Sequence, residues 1–241
     1  MRRDFAITGD EVMADNRKLK RGGKNSRALK PAYWVWIAFP YFLRRPLTSL
    51  GIAAILGMKR VVGTNRRTSL TPLKKLDVLS FWGVPEIDAA NYRLEVTGLV
   101  ENSLSLTLGD IRQLPEVERT THMDCVGGAR NIWTMRGVTL QEIFDRAVVS
   151  EDAESVVFRC ADGYYTTHLL SDLGEYDAFL AYEIAGEDIR ELGIPLRLAV
   201  PGTYGYKWAK WVKSIEVVAG FPAGYWDRLG LPKRGRVGDI W

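Results

Sequence analysis

Polar and apolar side chains alternate from Asn91 through Tyr92, Arg93, Leu94, Glu95, Val96 and Thr97 to a turn glycine, Gly98. A period of two predicts a strand with one buried face. Residues 108–115, LGDIRQLP, fit a short helix stopped by proline. A further strand leads up to Cys125, after which the spacing changes. Leu140, Ile143, Phe144 and Ala147 recur in three- and four-residue steps, which predicts a helix over residues 137–147 opened by Val138 or Thr139. Residues 155–160 (SVVFRC), 182–184, 196–200 and 211–218 read as further strands. Strands outnumber helices and do not alternate with them regularly, so the expected fold class is α+β rather than doubly wound α/β.

Before residue 76 the pattern is different. The first 30 residues hold few large apolar groups and include the run Arg17-Lys18-Leu19-Lys20-Arg21. Two apolar stretches follow, residues 32–43 and 47–58, separated by Arg44-Arg45-Pro46. Neither reaches the roughly 18 residues of a membrane-crossing helix, and the paired arginines argue against one continuous span. An aromatic-rich segment flanked by cations suits a membrane interface, so residues 31–60 are a candidate surface anchor or docking element; packing of its aromatics on the body is the competing reading.

Charge sharpens the division. The chain has 241 residues, 46% of them hydrophobic, and a net charge of +4. Residues 1–75 hold 17 Lys or Arg against 4 Asp or Glu, a net +13, whereas residues 76–241 hold 16 against 25, a net −9. A basic arm on an acidic body points to an anionic partner surface. The expected organisation is a basic N-terminal extension (1–75), a catalytic domain (76–219) and a C-terminal tail (220–241). Arg44-Arg45 is a poor twin-arginine export signal, since it lies beyond residue 40 and no small-residue cleavage site follows before Lys59. Retention in the cytoplasm, at the membrane face, is the reading preferred to export.

Candidate chemistry concentrates in two places. The first is the run Thr121-His122-Met123-Asp124-Cys125-Val126-Gly127-Gly128-Ala129-Arg130, where a soft sulfur donor sits beside a glycine pair that lets a bulky group approach the backbone. One cysteine cannot build a metal cage, and a lone cysteine is also what a small buried hydrophobe looks like. The second is residues 195–217, PLRLAVPGTYGYKWAKWVKSIEV, in which Arg197, Lys207 and Lys210 surround glycine-bearing turns as an anion site would. Lys207, Lys210 and Lys213 would equally form a solvated stripe.

Together the two segments resemble the molybdopterin-binding domain of the sulfite oxidase superfamily. The first matches its C-x-G-x-x-R turn and the second its P-x-R-x-x-x-P-x-x-x-G-x-K-x-x-K-W-x-x-x-I stretch. The resemblance runs from about Leu76 to Val218, through YRLEVTGLV at 92–100, LTLGDIRQLP at 106–115 and AYEIAGEDI at 181–189. It implies a mixed β-sheet fold and a molybdenum–molybdopterin cofactor, with Cys125 as the metal ligand. Arg197, Trp208 and Lys210 fall at cofactor-contacting positions, with Lys207 beside them. Cys160 stands where relatives often carry Thr or Ser, and a strand cysteine packed in the core is its other reading. The N-terminal cofactor motif, Arg-Asn-His or an Asn-rich segment in relatives, is replaced here by residues 80–85, SFWGVP, which puts Phe81 and Trp82 among the cofactor-binding candidates. Cys125 and Arg130 are the expected catalytic pair, and the incomplete anion pocket argues against a sulfite oxidase.

The activity implied is two-electron oxygen-atom transfer on a small sulfur- or nitrogen-containing substrate, as S-oxide reduction or sulfite-type oxidation. The resemblance is to stripped-down catalytic subunits, without an appended dimerisation or haem domain. Only His122 and His168 could ligate haem, so electrons are expected to pass through a separate protein, such as a membrane haem subunit. Two other classes stay open: a cofactor-free scaffold subunit of the same fold, and a nucleic-acid binder acting through the basic arm, which is the less favoured.

Overall fold

The computed structural model describes residues 35, 36, 38–62, 68–72 and 83–239. The first 34 residues, together with Phe81 and Trp82, lie outside the described residues.

Two sheets are built around one core. The first has the order β2-β1-β9-β5-β6, from β1 (Arg93–Gly98), β2 (Leu104–Thr107), β5 (Ser155–Cys160), β6 (Tyr165–Leu169) and β9 (Val212–Val218). Its β1–β9 pair is parallel and its other pairs antiparallel, so the sheet is mixed. The second has the order β3-β4-β7-β8 and is antiparallel throughout, from β3 (Glu116–Asp124), β4 (Arg130–Thr139), β7 (Phe179–Ile184) and β8 (Arg197–Ala199). The class is α+β, as the order of strands and helices predicts.

Alternation places Leu94 and Val96 of β1 inward while Arg93 and Glu95 face out. Where β4 crosses β7 the register shifts at Arg136/Gly137. A Cβ on Gly137 would lie 2.0 Å from the Leu180 carbonyl oxygen, so this strand contact requires glycine.

Short helices close the layers. In α2 (Leu108–Arg112), Thr107 and Asp110 form a reciprocal capping box; α3 (Leu140–Ala147) opens on Thr139, whose hydroxyl accepts from Glu142 N–H at 3.2 Å. The predicted periodic set Leu140, Ile143, Phe144 and Ala147 is the buried face of α3. Burying the three larger side chains contributes about 1.5–3 kcal/mol each. The core they join also holds Val96 and Ile215 of the first sheet and Met135, Leu180 and Leu198 of the second.

Before this body, α1 (Tyr41–Val62) runs as one helix through Arg44, Arg45 and Pro46, so the end of the first apolar stretch and the whole of the second share one helix. It seats on the C-terminal segment just after α4 (Tyr225–Arg228): Thr48 Oγ1 donates to the Leu229 carbonyl at 2.9 Å and Arg44 to the Arg228 carbonyl at 2.7 Å. No described helix is long and apolar enough to cross a membrane.

Candidate active site

Cys125 occupies the turn between β3 and β4. The turn is tied by its own backbone, with Cys125 N–H donating to Ala129 O (2.8 Å) and Gly128 N–H to Cys125 O (2.7 Å). Gly128 has φ +84°, a left-handed conformation that a glycine adopts without a Cβ penalty. The neighbouring Gly127 N–H points at Cys125 Sγ at 3.3 Å and fixes the direction of the sulfur. Cys125 is a free, half-buried thiol.

Arg130 closes the other end of the turn onto Asp124, with Nε donating to Oδ1 at 2.7 Å and Nη2 to Oδ2 at 2.8 Å. Such a bidentate pair is geometrically selective, and it raises the Arg130 pKa above its ordinary value. The guanidinium expected to be catalytic is therefore engaged in holding the turn. His122 Nε2 lies 3.7 Å from Asp124 Oδ2, with its ring half exposed.

The second motif reaches the same turn through Met123. Arg197, on β8, donates from Nη1 to the Leu192 carbonyl, and its Nη2 lies 3.1 Å from Met123 Sδ. Trp133 and Trp208 flank the guanidinium, with ring centroids 5.6 and 5.9 Å from its central carbon. Asp124 pairs in parallel with Tyr204, which draws the 201–207 loop against the end of β3. A Cβ on Gly205 would stand 3.1 Å from Met123 Sδ, so a larger residue there would push the Met123 side chain aside by a few tenths of an ångström.

Arg197 is 4% exposed, and among the described residues no carboxylate forms an ion pair with it. Burial pushes its pKa down to about 10, which leaves it a cation at neutral pH. Its Nε and the indole N–H of Trp133 are both buried without a hydrogen-bond partner among the described residues. Burying a charge and two donors unmatched is unfavourable unless a ligand completes them.

Lys210 extends the positive region. Burial, followed by the nearby Arg197 charge, lowers its pKa to about 8, and its Nζ lies 4.4 Å from the Trp211 ring centroid. Cys160, at the end of β5, is a buried free thiol whose pKa is raised by burial and then by Asp162. Asp162 is itself pushed up to about 6 by burial. The backbone of Lys210 hydrogen-bonds Cys160, so the ends of β3 and β5, β8 and the approach to β9 meet here.

Lys207 corrects the sequence expectation. It is fully buried, and its Nζ donates to the carbonyls of Thr167 and Lys233, each at 2.7 Å, and lies 3.5 Å from Asp227 Oδ2. Its ammonium donors are matched inside the protein, which makes it a structural cation rather than a free anion donor. Burial drives Lys207 and Asp227 each toward neutrality, and their mutual attraction opposes this. The structure thus gathers Cys125, Arg197, Trp208, Lys210 and Cys160, leaves Lys207 aside, and adds Met123 and Trp133. Those two were missed because nothing in a strand's spacing shows which loop will fold over it.

Among the described residues no group of three or more His, Cys, Asp or Glu could hold a metal ion, so a metal on Cys125 needs its other donors from a cofactor. A soft sulfur, a buried cation and two unmatched donors fit an anionic organic cofactor that carries a soft metal site. The model of the oxidoreductase molybdopterin binding domain matches residues 81–226, more than half of the chain. The chain belongs to this family. Similar proteins include the "Putative protein-methionine-sulfoxide reductase subunit YedZ1" of Azospira oryzae, 34% identical over 148 residues, covering 61% of this chain and 56% of that protein. Another is the sulfite oxidase of Arabidopsis thaliana, 30% identical over 180 residues, with 59% and 46% covered. Among solved structures, the sulfane dehydrogenase SoxCD from Paracoccus pantotrophus shares the fold, with a TM-score of 0.61 at 24% identity, covering 64% of this chain and 45% of that one. The chain thus spans about half the length of these relatives. Family and fold agree with the sulfite oxidase superfamily resemblance read from the sequence, and molybdenum–molybdopterin is the cofactor of that family.

Proposed function

We propose that this protein is a molybdenum–molybdopterin oxidoreductase that reduces a small S-oxide by two-electron oxygen-atom transfer. The observation that carries the reading is the buried Arg197, unneutralised and flanked by Trp133 and Trp208, beside the Cys125 turn. Cys125 would ligate the metal, and Arg197 and Lys210 would hold the cofactor's anionic groups. When bound, the cofactor supplies a metal centre that accepts and releases two electrons and an oxygen atom. Overall, R2SO, two electrons and two protons give R2S and water. Asp124 and Arg130 keep the ligand-bearing turn in one geometry, while the buried aromatic rings exclude water from the side of Arg197.

Charge supports this direction. A sulfite-type dianion would require cations aimed at the metal, whereas Arg130 is paired with Asp124. A neutral S-oxide makes no such demand, and the name of the Azospira relative, which concerns methionine sulfoxide, supports the same class. Electrons would come from a separate protein, such as a membrane haem subunit: His168 is fully buried with Nε2 3.0 Å from the Lys207 carbonyl, and His122 is the only other histidine.

The test is turnover of the molybdenum-loaded protein with a reduced viologen dye as electron donor. Dye oxidation that depends on methionine sulfoxide or dimethyl sulfoxide supports the reading. Inactivity with S-oxides, together with sulfite-dependent reduction of ferricyanide, reverses the direction.

A further inference from the structure

We propose that α1 is an in-plane membrane anchor whose outward apolar face lies in the interface of an anionic lipid bilayer. A helix that merely covers a domain turns its apolar stripe inward. Among the described side chains of α1 the arrangement is reversed. Toward the domain stand Ser49, 1% exposed, together with Thr48 and Arg44, which donate to the Leu229 and Arg228 carbonyls; Ile52 is the large apolar residue described there. Gly230 lies beneath them, and a Cβ on it would come within 2.9 Å of Thr48 Oγ1 and 3.1 Å of the Arg44 carbonyl, so the two backbones are in close contact.

On the opposite side, Leu43, Leu47, Leu50 and Met58 follow one another in steps that return to the same face, and they are 42%, 51%, 61% and 63% exposed. Phe42, 73% exposed, and Phe39, 46% exposed, widen the stripe at its start. An apolar patch this continuous calls for an occupant.

Charge and shape select lipid over protein. The helix contains no Asp or Glu, carries the exposed Arg45 near its start and Lys59-Arg60 near its end, within a 75-residue region of net +13 attached to a body of net −9. Basic segments beside an apolar face are what anionic headgroups attract, each cation contributing about 1 kcal/mol near the surface. The outward ridge is convex and without donors or acceptors, so it offers a protein partner little to set register. The bonds from Arg44 and Thr48 hold the helix along the domain surface, a geometry suited to lying in the interface.

The experiment is flotation of the molybdenum-loaded full chain with vesicles of phosphatidylcholine containing about one-third phosphatidylserine, an anionic surface of the kind this charge attracts. We expect the protein to float with these vesicles and much less with phosphatidylcholine alone. The triple variant Leu43→Glu/Leu47→Glu/Leu50→Glu should lower the vesicle partition coefficient roughly a hundredfold. Molybdenum content and circular dichroism should be unchanged, because the three side chains face away from the domain. A single variant, Leu47→Gln, should weaken binding several-fold without risk to folding. Absence of wild-type flotation, or undiminished flotation of Leu47→Gln and the triple variant, would overturn the proposal. So would a wild-type dimer in sedimentation velocity that the triple variant abolishes, since the face would then belong to a second copy of this chain.

Discussion

Arg130 and Asp124 bracket the five-residue Cys125 turn and join through two parallel hydrogen bonds of 2.7 and 2.8 Å. The pair converts a glycine-rich turn, intrinsically mobile, into a fixed mount for the sulfur. Arg130→Met should cost about 2–3 kcal/mol of stability, since it leaves the largely buried Asp124 carboxylate unpaired. Arg130→Lys should recover little of that, because an ammonium cannot reproduce the bidentate fork. Urea denaturation of the three proteins measures this directly.

Arg197 behaves in the opposite sense. Its buried charge has no ion-pair partner among the described residues, so Arg197→Met should leave the cofactor-free protein as stable as wild type, or more stable by about 1–2 kcal/mol. Pterin retained through purification should fall more than about tenfold, the loss of one charge-assisted contact of about 1.5–3 kcal/mol. Thermal melts of cofactor-free protein, paired with fluorescence quantitation of released pterin, separate the two effects. A residue with a merely structural role would lower both.

Lys207 is the control for that contrast. Lys207→Met strands Asp227 in the interior and should destabilise the fold by about 3–5 kcal/mol, whereas Lys207→Met/Asp227→Leu should regain much of it. A double-mutant cycle read by chemical denaturation gives the coupling.

His168 makes stability depend on pH. Burial lowers its pKa to about 3, against about 6.5 in the unfolded chain, so between those values the unfolded state binds more protons. Its contribution is fully present above pH 6.5 and is lost as pH falls toward 3. Asp162 works oppositely in part of that window: its pKa, raised to about 6, makes the folded state gain protons first as pH falls. The difference between wild type and His168→Gln isolates the imidazole. From pH 7 to pH 5, wild type should lose about 2 kcal/mol more than the variant. Equal losses in urea titrations at the two pH values would show that His168 does not titrate in this way.

How far the fold can be read from residues depends on how one-sided each element is. β1 and α3 each bury one face and leave the other wet, and alternation or helical spacing finds them. β6 does not show itself, because Thr166, Thr167 and His168 are polar residues buried in its interior. β4 is obscured by Arg130 and Arg136, and β2 is only four residues long. The continuity of α1 is hidden by Arg44-Arg45-Pro46: the helix runs on through a proline in its second turn, at the loss of one i→i−4 hydrogen bond. In the site, residue type alone marks Cys125 and Arg197. Whether a cation is free or internally matched is a property of the tertiary fold, which is why Lys207 and Arg197 look alike in the sequence and differ in the structure.

The central claim is that Cys125 is the protein ligand of a molybdenum–molybdopterin cofactor. The measurement that tests it most directly is the molybdenum-to-protein ratio, with X-ray absorption of the metal's sulfur shell, for wild type and Cys125→Ser made in a host that synthesises molybdopterin. The account predicts near-stoichiometric molybdenum in the wild type and one sulfur fewer around the metal in the variant. Folded wild-type protein that contains neither molybdenum nor pterin, or an identical sulfur shell in the two proteins, would contradict it.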